Sequence, residues 1–215
     1  TDFSRKRLRV FLNKYYKEYQ TNEGYVLKCD ITKYFPNINH IALKEILNKK
    51  IKDDEVKEFL LKIIDSYQKE LGIGIPMGNQ TSQAFALLYL DKMDRYIKER
   101  LGIKYYTRYM DDFILIYPSK EYLKYCLNEI KKILNDELKL ELNPKTSIIK
   151  IKEGIDYLGA RYILLDRGKT IIKLSQRKKK VITTKVNTHN IDSYLSYLKR
   201  YNNFLFSTKL QNIVK

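Results

Sequence analysis

Apolar positions along the chain change period several times, and each change predicts an element. From Phe3 to Tyr19, Leu8, Phe11, Leu12, Tyr15 and Tyr19 recur at helical spacing while Arg5, Lys6, Arg9 and Lys17 supply a basic face, the pattern of an amphipathic helix. It ends near Asn22-Glu23-Gly24. The run Tyr25-Val26-Leu27-Lys28-Cys29 then reads as a strand closing on Asp30. Pro36 and the segment Asn37 to His40 predict a turn, followed by a short helix from about Ile41 to Lys49. A second helix starts at Asp53-Asp54, acids suited to a helix N-terminus, with Val56, Phe59, Leu60, Ile63 and Tyr67 on one face. Gly72-Ile73-Gly74-Ile75-Pro76-Met77-Gly78 is a loop whose glycines permit close backbone approach, and a helix from about Thr81 to Arg100 follows it.

Ile103 to Arg108 and Phe113 to Tyr117 both read as strands rich in β-branched and aromatic residues, and they meet at Tyr109-Met110-Asp111-Asp112. Ser119 opens a helix to about Leu134 with Leu123, Cys126, Leu127, Ile130 and Ile133 inward. Strands are predicted at 138–142, 146–151, 157–165 and 170–174, with Asp166-Arg167-Gly168 turning between the last two. Helices mixed with hairpins make an α+β layout. A boundary is predicted near Leu174-Ser175, where Arg177-Lys178-Lys179-Lys180 opens a helical, Tyr-rich tail.

The acids carry the chemistry. Adjacent carboxylates at a hairpin tip are compatible with a turn that uses Asp only for its local hydrogen bonding. Asp30 changes that, because a carboxylate ending a buried strand is costly unless paired, hydrogen-bonded or bound to a metal. Two such strand ends, far apart in sequence, suggest one shared site. Carboxylates brought together repel unless a divalent cation neutralises them, and oxygen-only ligands select hard ions such as Mg²⁺. A pair of ions roughly 3.5–4 Å apart activates an attacking hydroxyl and stabilises a leaving phosphate oxygen, the chemistry of nucleotidyl transfer.

The 215 residues, 44% of them hydrophobic, supply a packed core, and 42 Lys and Arg against 25 Asp and Glu leave a net charge of +17 spread along the chain. A polyanionic partner is expected, nucleic acid first. No apolar run nears the roughly 20 residues that span a bilayer, so no membrane anchor is read, and no secretory leader opens the chain. Cys29 and Cys126 alone make a disulfide framework or thiolate metal site unexpected, which fits a reducing cytoplasm. His40 and His189 are isolated, and neither is assigned to catalysis.

The ordered set resembles the palm of reverse transcriptases. Asp30 with Phe35 is similar to their first motif, Gly74-Ile75-Pro76-Met77-Gly78-Asn79-Gln80-Thr81-Ser82-Gln83 to the second, and Tyr109-Met110-Asp111-Asp112 to the third. Asn143-Pro144-Lys145-Thr146 resembles the fourth and Tyr157-Leu158-Gly159 the fifth, the primer grip. The resemblance implies a right-hand polymerase palm, an antiparallel sheet backed by helices, over residues 25–174. Residues 1–24 would be a helix leading from the fingers and 175–215 the start of an incomplete helical thumb, most of the fingers being absent. A palm so cut from its fingers is expected to polymerise poorly by itself.

What the resemblance implies for the site is specific. Asp30, Asp111 and Asp112 with the Ile31 carbonyl would hold two Mg²⁺, or Mn²⁺ in their place, and Lys145 would serve the pyrophosphate leaving group. Phe35, Met77, Gly78 and Gln83 would meet the nucleotide, Phe35 excluding a 2′-hydroxyl. Partners would be an RNA template, a DNA or RNA primer, dNTPs and an accessory protein subunit. The Ser82-Gln83 form is most like the enzymes of diversity-generating retroelements, with group II intron-type enzymes next, and Met77 where others carry Gln implies low fidelity, since a thioether cannot donate an amide hydrogen bond. An RNA-dependent RNA polymerase shares such a palm, but Phe35 argues against it. A maturase piece or phage-defence protein that binds RNA without synthesis is the alternative from another class. Tyr194, Tyr197 and Tyr201 beside Lys199 and Arg200 are compatible with core packing or with a template–primer minor groove.

Overall fold

The computed structural model describes residues 2–214 and divides into two compact units, residues 25–148 and residues 1–24 with 149–215. In chain order the elements are α1 (Asp2–Tyr19), β1 (Tyr25–Cys29), α2 (Tyr34–Asn37), α3 (His40–Lys50), α4 (Asp54–Asp65), α5 (Gln80–Tyr89) and α6 (Asp91–Arg95). After a π-helical turn at Tyr96–Arg100 come β2 (Tyr105–Tyr109), β3 (Asp112–Tyr117) and α7 (Lys120–Lys132). Then follow β4 (Ser147–Lys150), β5 (Ile155–Tyr157), β6 (Ala160–Leu164), β7 (Thr170–Leu174), α8 (Gln176–Lys185), α9 (Ile191–Leu198) and α10 (Phe204–Val214).

The unit 25–148 is built on a sheet of order β2-β3-β1-β4, antiparallel across β2, β3 and β1, with β4, whose first residues belong to this unit, at the edge. Leu27, Cys29, Phe113 and Leu115 from the sheet join Phe85, Ala86, Tyr89, Met93, Leu123, Cys126 and Ile130 from the helices in one buried core. Helix starts follow side-chain capping: Asn39, Asp53, Asn79 and Ser119 each accept an amide hydrogen bond from the first turn of α3, α4, α5 and α7.

Four expectations change here. The turn at Pro36 is partly helical, α2, which tolerates proline in its first turn. On α4 the expected inward face is only partly covered: Leu60 and Ile63 pack partly buried against the core, but Phe59 is 62% exposed, Val56 is exposed, as is Tyr67 past the helix end, and Ile64 is the fully buried position. The apolar stripe is wider than the surface that covers it. The helix expected from Thr81 to Arg100 breaks at Leu90, where ψ is near 1°. Tyr89 and Leu90 are both fully buried, and an unbroken helix would turn neighbouring side chains about 100° apart. Tyr89 is further held by its hydroxyl, which donates to the Leu138 carbonyl at 2.6 Å. Finally, 138–142 alternates inward and outward like a strand but forms only an isolated bridge, Leu142 to Ile31. The Leu138 and Leu140 amides donate instead to Ile133 and Leu134, and Lys139 adopts φ 53°.

The unit of residues 1–24 and 149–215 packs α1 on the antiparallel sheet β5-β6-β7. Leu8, Phe11, Leu12 and Tyr15 are buried as predicted, whereas Tyr19 is exposed. The Tyr16 hydroxyl donates to the Asp166 carbonyl, and Thr170 Oγ1 donates to Asn13 Oδ1 at 2.7 Å. The strand expected over 157–165 is two strands folded at Leu158-Gly159: Tyr157 pairs with Ala160, and both tip residues have positive φ, 48° and 78°. That is the two-residue hairpin turn that follows sheet twist, and Gly159 is its sequence signal. In the tail, Leu174, Ile182, Leu198 and Leu210 form a small core on which Tyr194, Tyr197 and Tyr201 pack. This unit takes in β5 to β7, so the division falls inside the 25–174 stretch read as one piece, where α1 finds the sheet that covers its apolar face.

Candidate active site

Register assembles the acids. β1 and β3 pair antiparallel with Cys29 opposite Phe113; one further step sets Asp30 opposite Asp112, and the next sets Ile31 opposite Asp111. The Ile31 amide donates to the Asp111 carbonyl at 3.2 Å, so the alignment persists past the strand ends. On the other side Tyr109 pairs with Asp112, leaving Met110 and Asp111 as the two-residue tip, and Met110 takes φ 53°. A non-glycine residue there is strained unless its surroundings hold it.

They do hold it. Arg108 donates from Nε to Asp94 Oδ1 at 2.8 Å and from Nη2 to Asp94 Oδ2, and its Nη1 donates to the Met110 carbonyl at 3.0 Å. The Tyr106 hydroxyl also donates to Asp94 Oδ1. Burial opposes the Arg108 charge, yet the hydrogen bonds and charge of Asp94 outweigh it and raise the guanidinium's pKa. A carboxylate on α6 thereby fixes the turn between β2 and β3. The sequence reading left both Arg108 and Asp94 without a role.

Electrostatics bind the three acids into one system. Burial, then the charge of Asp30, raises the pKa of Asp111. Asp112 is pushed up to about 6 by burial, with Asp30 and Asp111 adding to it and Lys28 opposing. Asp30 is oriented by Asn143, whose Nδ2 donates to Asp30 Oδ2 at 3.0 Å while its amide donates to the Asp30 carbonyl at 2.7 Å. Asn143 opens the stretch that resembles the fourth motif, where Lys145 alone was given a role; the hold on Asp30 is a role for Asn143 that the sequence did not show.

The other predicted residues fall into four settings. Lys145 is exposed on the turn that follows Asn143, and its amide donates to Asn143 Oδ1 at 3.0 Å, so the structure brings it to the Asp30 side of the site. Phe35 is half-buried, edge-on to Tyr34 at 5.6 Å, and its carbonyl accepts from Ile75 at 3.1 Å, which ties the glycine loop to the segment after Asp30. His40 serves the same loop, its Nε2 2.7 Å from the Gly74 carbonyl. Met77 is 78% exposed, and Gly78 and Gln83 are exposed beside it. Tyr157, Leu158 and Gly159 belong to the other unit: Tyr157 is buried, and Leu158 offers its carbonyl to Arg5 Nε at 3.0 Å.

Among the described residues no group of three or more His, Cys, Asp or Glu side chains is poised to hold a metal ion. The donor chemistry nevertheless fits a hard divalent cation. Asp30, Asp111, Asp112 and the Ile31 carbonyl are all oxygen donors, and the Asp111 and Asp112 carboxylates, whose pKa values are raised first by burial and then by neighbouring acids, gain from a neutralising ion.

An α+β fold with this hairpin of acids is the palm-like fold of reverse transcriptases. Residues 3–162 match the family described as "Reverse transcriptase (RNA-dependent DNA polymerase)". The chain belongs to that family. Its relatives include Protein YkfC of Escherichia coli (strain K12), 26% identical over 183 residues that cover 67% of this chain and 48% of that protein. The group II intron-encoded protein LtrA of Lactococcus lactis subsp. cremoris is 26% identical over 187 residues, 84% of this chain and 26% of the relative. In fold the chain is similar to the apo telomerase from Candida tropicalis, with a TM-score of 0.65 at 20% identity, over 91% of this chain and 40% of that one. The chain thus spans about half the length of the first relative and about a quarter of the second.

Proposed function

We propose that this chain carries the catalytic centre of an RNA-directed DNA polymerase, transferring nucleotides from dNTPs to a primer 3′ end on an RNA template. The reading is carried by one observation: the Asp30 strand end and the Asp111-Asp112 hairpin lie in register, joined by the hydrogen bond from Ile31 to Asp111. Asp30 and Asp111, with the Ile31 carbonyl and Asp112 assisting, would hold two Mg²⁺, or Mn²⁺ in their place. When bound, these ions would polarise the primer hydroxyl and stabilise the leaving pyrophosphate.

The chain's own residues do the rest. Asn143 holds the Asp30 carboxylate in one orientation, and the Arg108–Asp94 pair keeps the Asp111 turn from relaxing. Lys145, exposed at the site's edge, supplies positive charge or a proton to the leaving group, an interaction that strengthens as charge develops there. In this reading Phe35 meets the sugar, Met77, Gly78 and Gln83 the base pair, and Tyr157, Leu158 and Gly159 the primer. Intron-type relatives support the retroelement branch. The Met77-based reading, low fidelity in the manner of diversity-generating retroelements, is a finer part of the proposal. So are an accessory subunit and a cytoplasmic setting, the latter in keeping with buried, free Cys29 and Cys126. Among the described residues no helix is long and apolar enough to cross a membrane.

The test is dNTP incorporation on a primed RNA template in Mg²⁺. It compares the chain alone, the chain supplied with a reverse transcriptase fingers region, and Asp111→Ala in both. We expect incorporation with the fingers supplied, abolished in Asp111→Ala. RNA binding without incorporation in every form would replace the polymerase reading with a binding module.

A further inference from the structure

Away from the acids, in the unit of residues 1–24 and 149–215, a cavity of about 410 Å³ opens between α1, the β6–β7 face and the end of α9. Four cations line it: Arg5, Lys6 and Arg9 from α1 and Arg200 from the segment after α9. Its remaining walls include the rings of Tyr162 and Tyr201, and among the described residues no carboxylate lines it. Arg5 and Arg9 are one helical turn apart and so share a face of α1.

The walls are fixed by backbone and side-chain bonds. Arg5 donates to the Leu158 carbonyl and is thereby held against the β5–β6 turn. The Asn202 amide donates to the Ile172 carbonyl at 2.7 Å, while the Ile172 amide donates to Asn202 Oδ1 at 3.1 Å, which pins the Arg200-Tyr201 segment to β7. The Tyr197 and Tyr201 hydroxyls lie 2.9 Å apart, which fixes the ring of Tyr201.

Four like charges around one concavity repel each other and create a strong positive potential, which an anion relieves. Tyr162 is buried beneath the cations, and the partly exposed Tyr201 beside them favours an anion that carries planar or sugar surface with it, as a nucleic-acid strand does. We propose that this cavity seats a phosphodiester of a bound nucleic-acid backbone, so that the second unit holds a strand by its own cationic site. The inference rests on the nucleic-acid reading above but not on catalysis by the acids.

The experiment measures binding of a labelled single-stranded RNA and of an RNA–DNA duplex to the full chain across a salt series. Lys6→Gln/Arg9→Gln, two exposed positions at the cavity, is compared with Lys124→Gln/Lys131→Gln, which removes the same charge from the exposed face of α7. Arg200→Gln reads the opposite wall, and thermal unfolding verifies that each variant is folded. The cavity pair should bind single-stranded RNA roughly tenfold more weakly and lose about 1.4 from the slope of log K against log salt, about 0.7 for each lost phosphate contact. The α7 pair should shift both far less, and Arg200→Gln should follow the cavity pair.

Equal losses in the two pairs would overturn the site in favour of diffuse attraction by net charge. A folded cavity pair that binds like wild type would overturn it outright. Titration with inorganic phosphate forms a separate arm: binding of free phosphate as tight as that of the oligonucleotide would make this a free-phosphate site and overturn the backbone reading. Asp111→Ala is measured beside them and should bind as wild type does. Loss of binding in the cavity pair, with no dNTP incorporation by the unsubstituted protein even when fingers are supplied, would sink the polymerase reading and leave the site standing; incorporation by that form with unchanged binding in the cavity pair would do the reverse.

Discussion

Arg108 on β2 grips Asp94 on α6 with two guanidinium nitrogens and spends a third on the Met110 carbonyl, one residue before the catalytic candidate Asp111. The pair is largely buried, the Arg108 side chain 9% and the Asp94 side chain 27% exposed. Removing one partner strands the other, so Arg108→Met or Asp94→Asn should lower unfolding free energy by on the order of 3 kcal/mol. Arg108→Lys should recover only part of it, because an ammonium cannot reproduce the fork. Urea unfolding of the two single variants and the double variant Arg108→Met/Asp94→Asn provides the check. Additive losses would show that the pair does not act as a unit.

Asn143 orients Asp30 from a residue outside β1, and its loss leaves the Asp30 carboxylate free to rotate. Groups that orient a metal ligand typically govern affinity or activity by about 10–100-fold. Asn143→Ala should therefore raise the Mg²⁺ concentration for half-maximal incorporation by about that factor in the form supplied with fingers, at a stability cost of about 1 kcal/mol. A large stability loss with unchanged Mg²⁺ dependence would make Asn143 a turn residue only.

These two supports explain where the sequence was legible. Strand periods and capping residues were readable because they are local: Ser119 and Asp53 begin helices as expected, and the acids at 111–112 lie where two alternating runs meet. The Arg108–Asp94 and Asn143–Asp30 links join residues 14 and 113 positions apart, and no periodicity reports them. The segment 138–142 shows the converse. Its alternation truthfully reports that Leu138 and Leu140 are buried, but burial does not say which carbonyls receive the amides. In α4 the pattern misled because amphipathic residues outnumber the positions that a neighbour covers.

Met77 stands clear of the core, so it can be exchanged without a packing cost. Met77→Gln should leave thermal stability within about 0.5 kcal/mol of wild type. If the residue meets the nascent base pair, the substitution should lower misincorporation opposite template adenine. Sequencing of products copied from one RNA template by both proteins measures this, and an identical error spectrum would remove Met77 from the nucleotide-binding set.

Asp112 carries a testable dependence on pH and on metal. Its folded-state pKa lies at about 6, above the ordinary 3.8, so the fold favours the protonated carboxyl. Below the ordinary value the group is neutral in both states and costs nothing; as pH rises through 6 the folded protein must carry a buried charge, and stability falls. Asp112→Asn removes that cost and should stabilise the protein at pH 7 by on the order of 2 kcal/mol, with little gain at pH 4. Divalent cations oppose the same cost, so Mg²⁺ should raise the unfolding temperature of wild type at pH 7 more than that of Asp112→Asn, and chelation should restore the difference. Thermal unfolding at both pH values, with Mg²⁺ and with chelator, reads all four conditions. A variant no more stable than wild type at pH 7 would mean that Asp112 is solvated, and an equal Mg²⁺ response in both proteins would exclude it from the metal site.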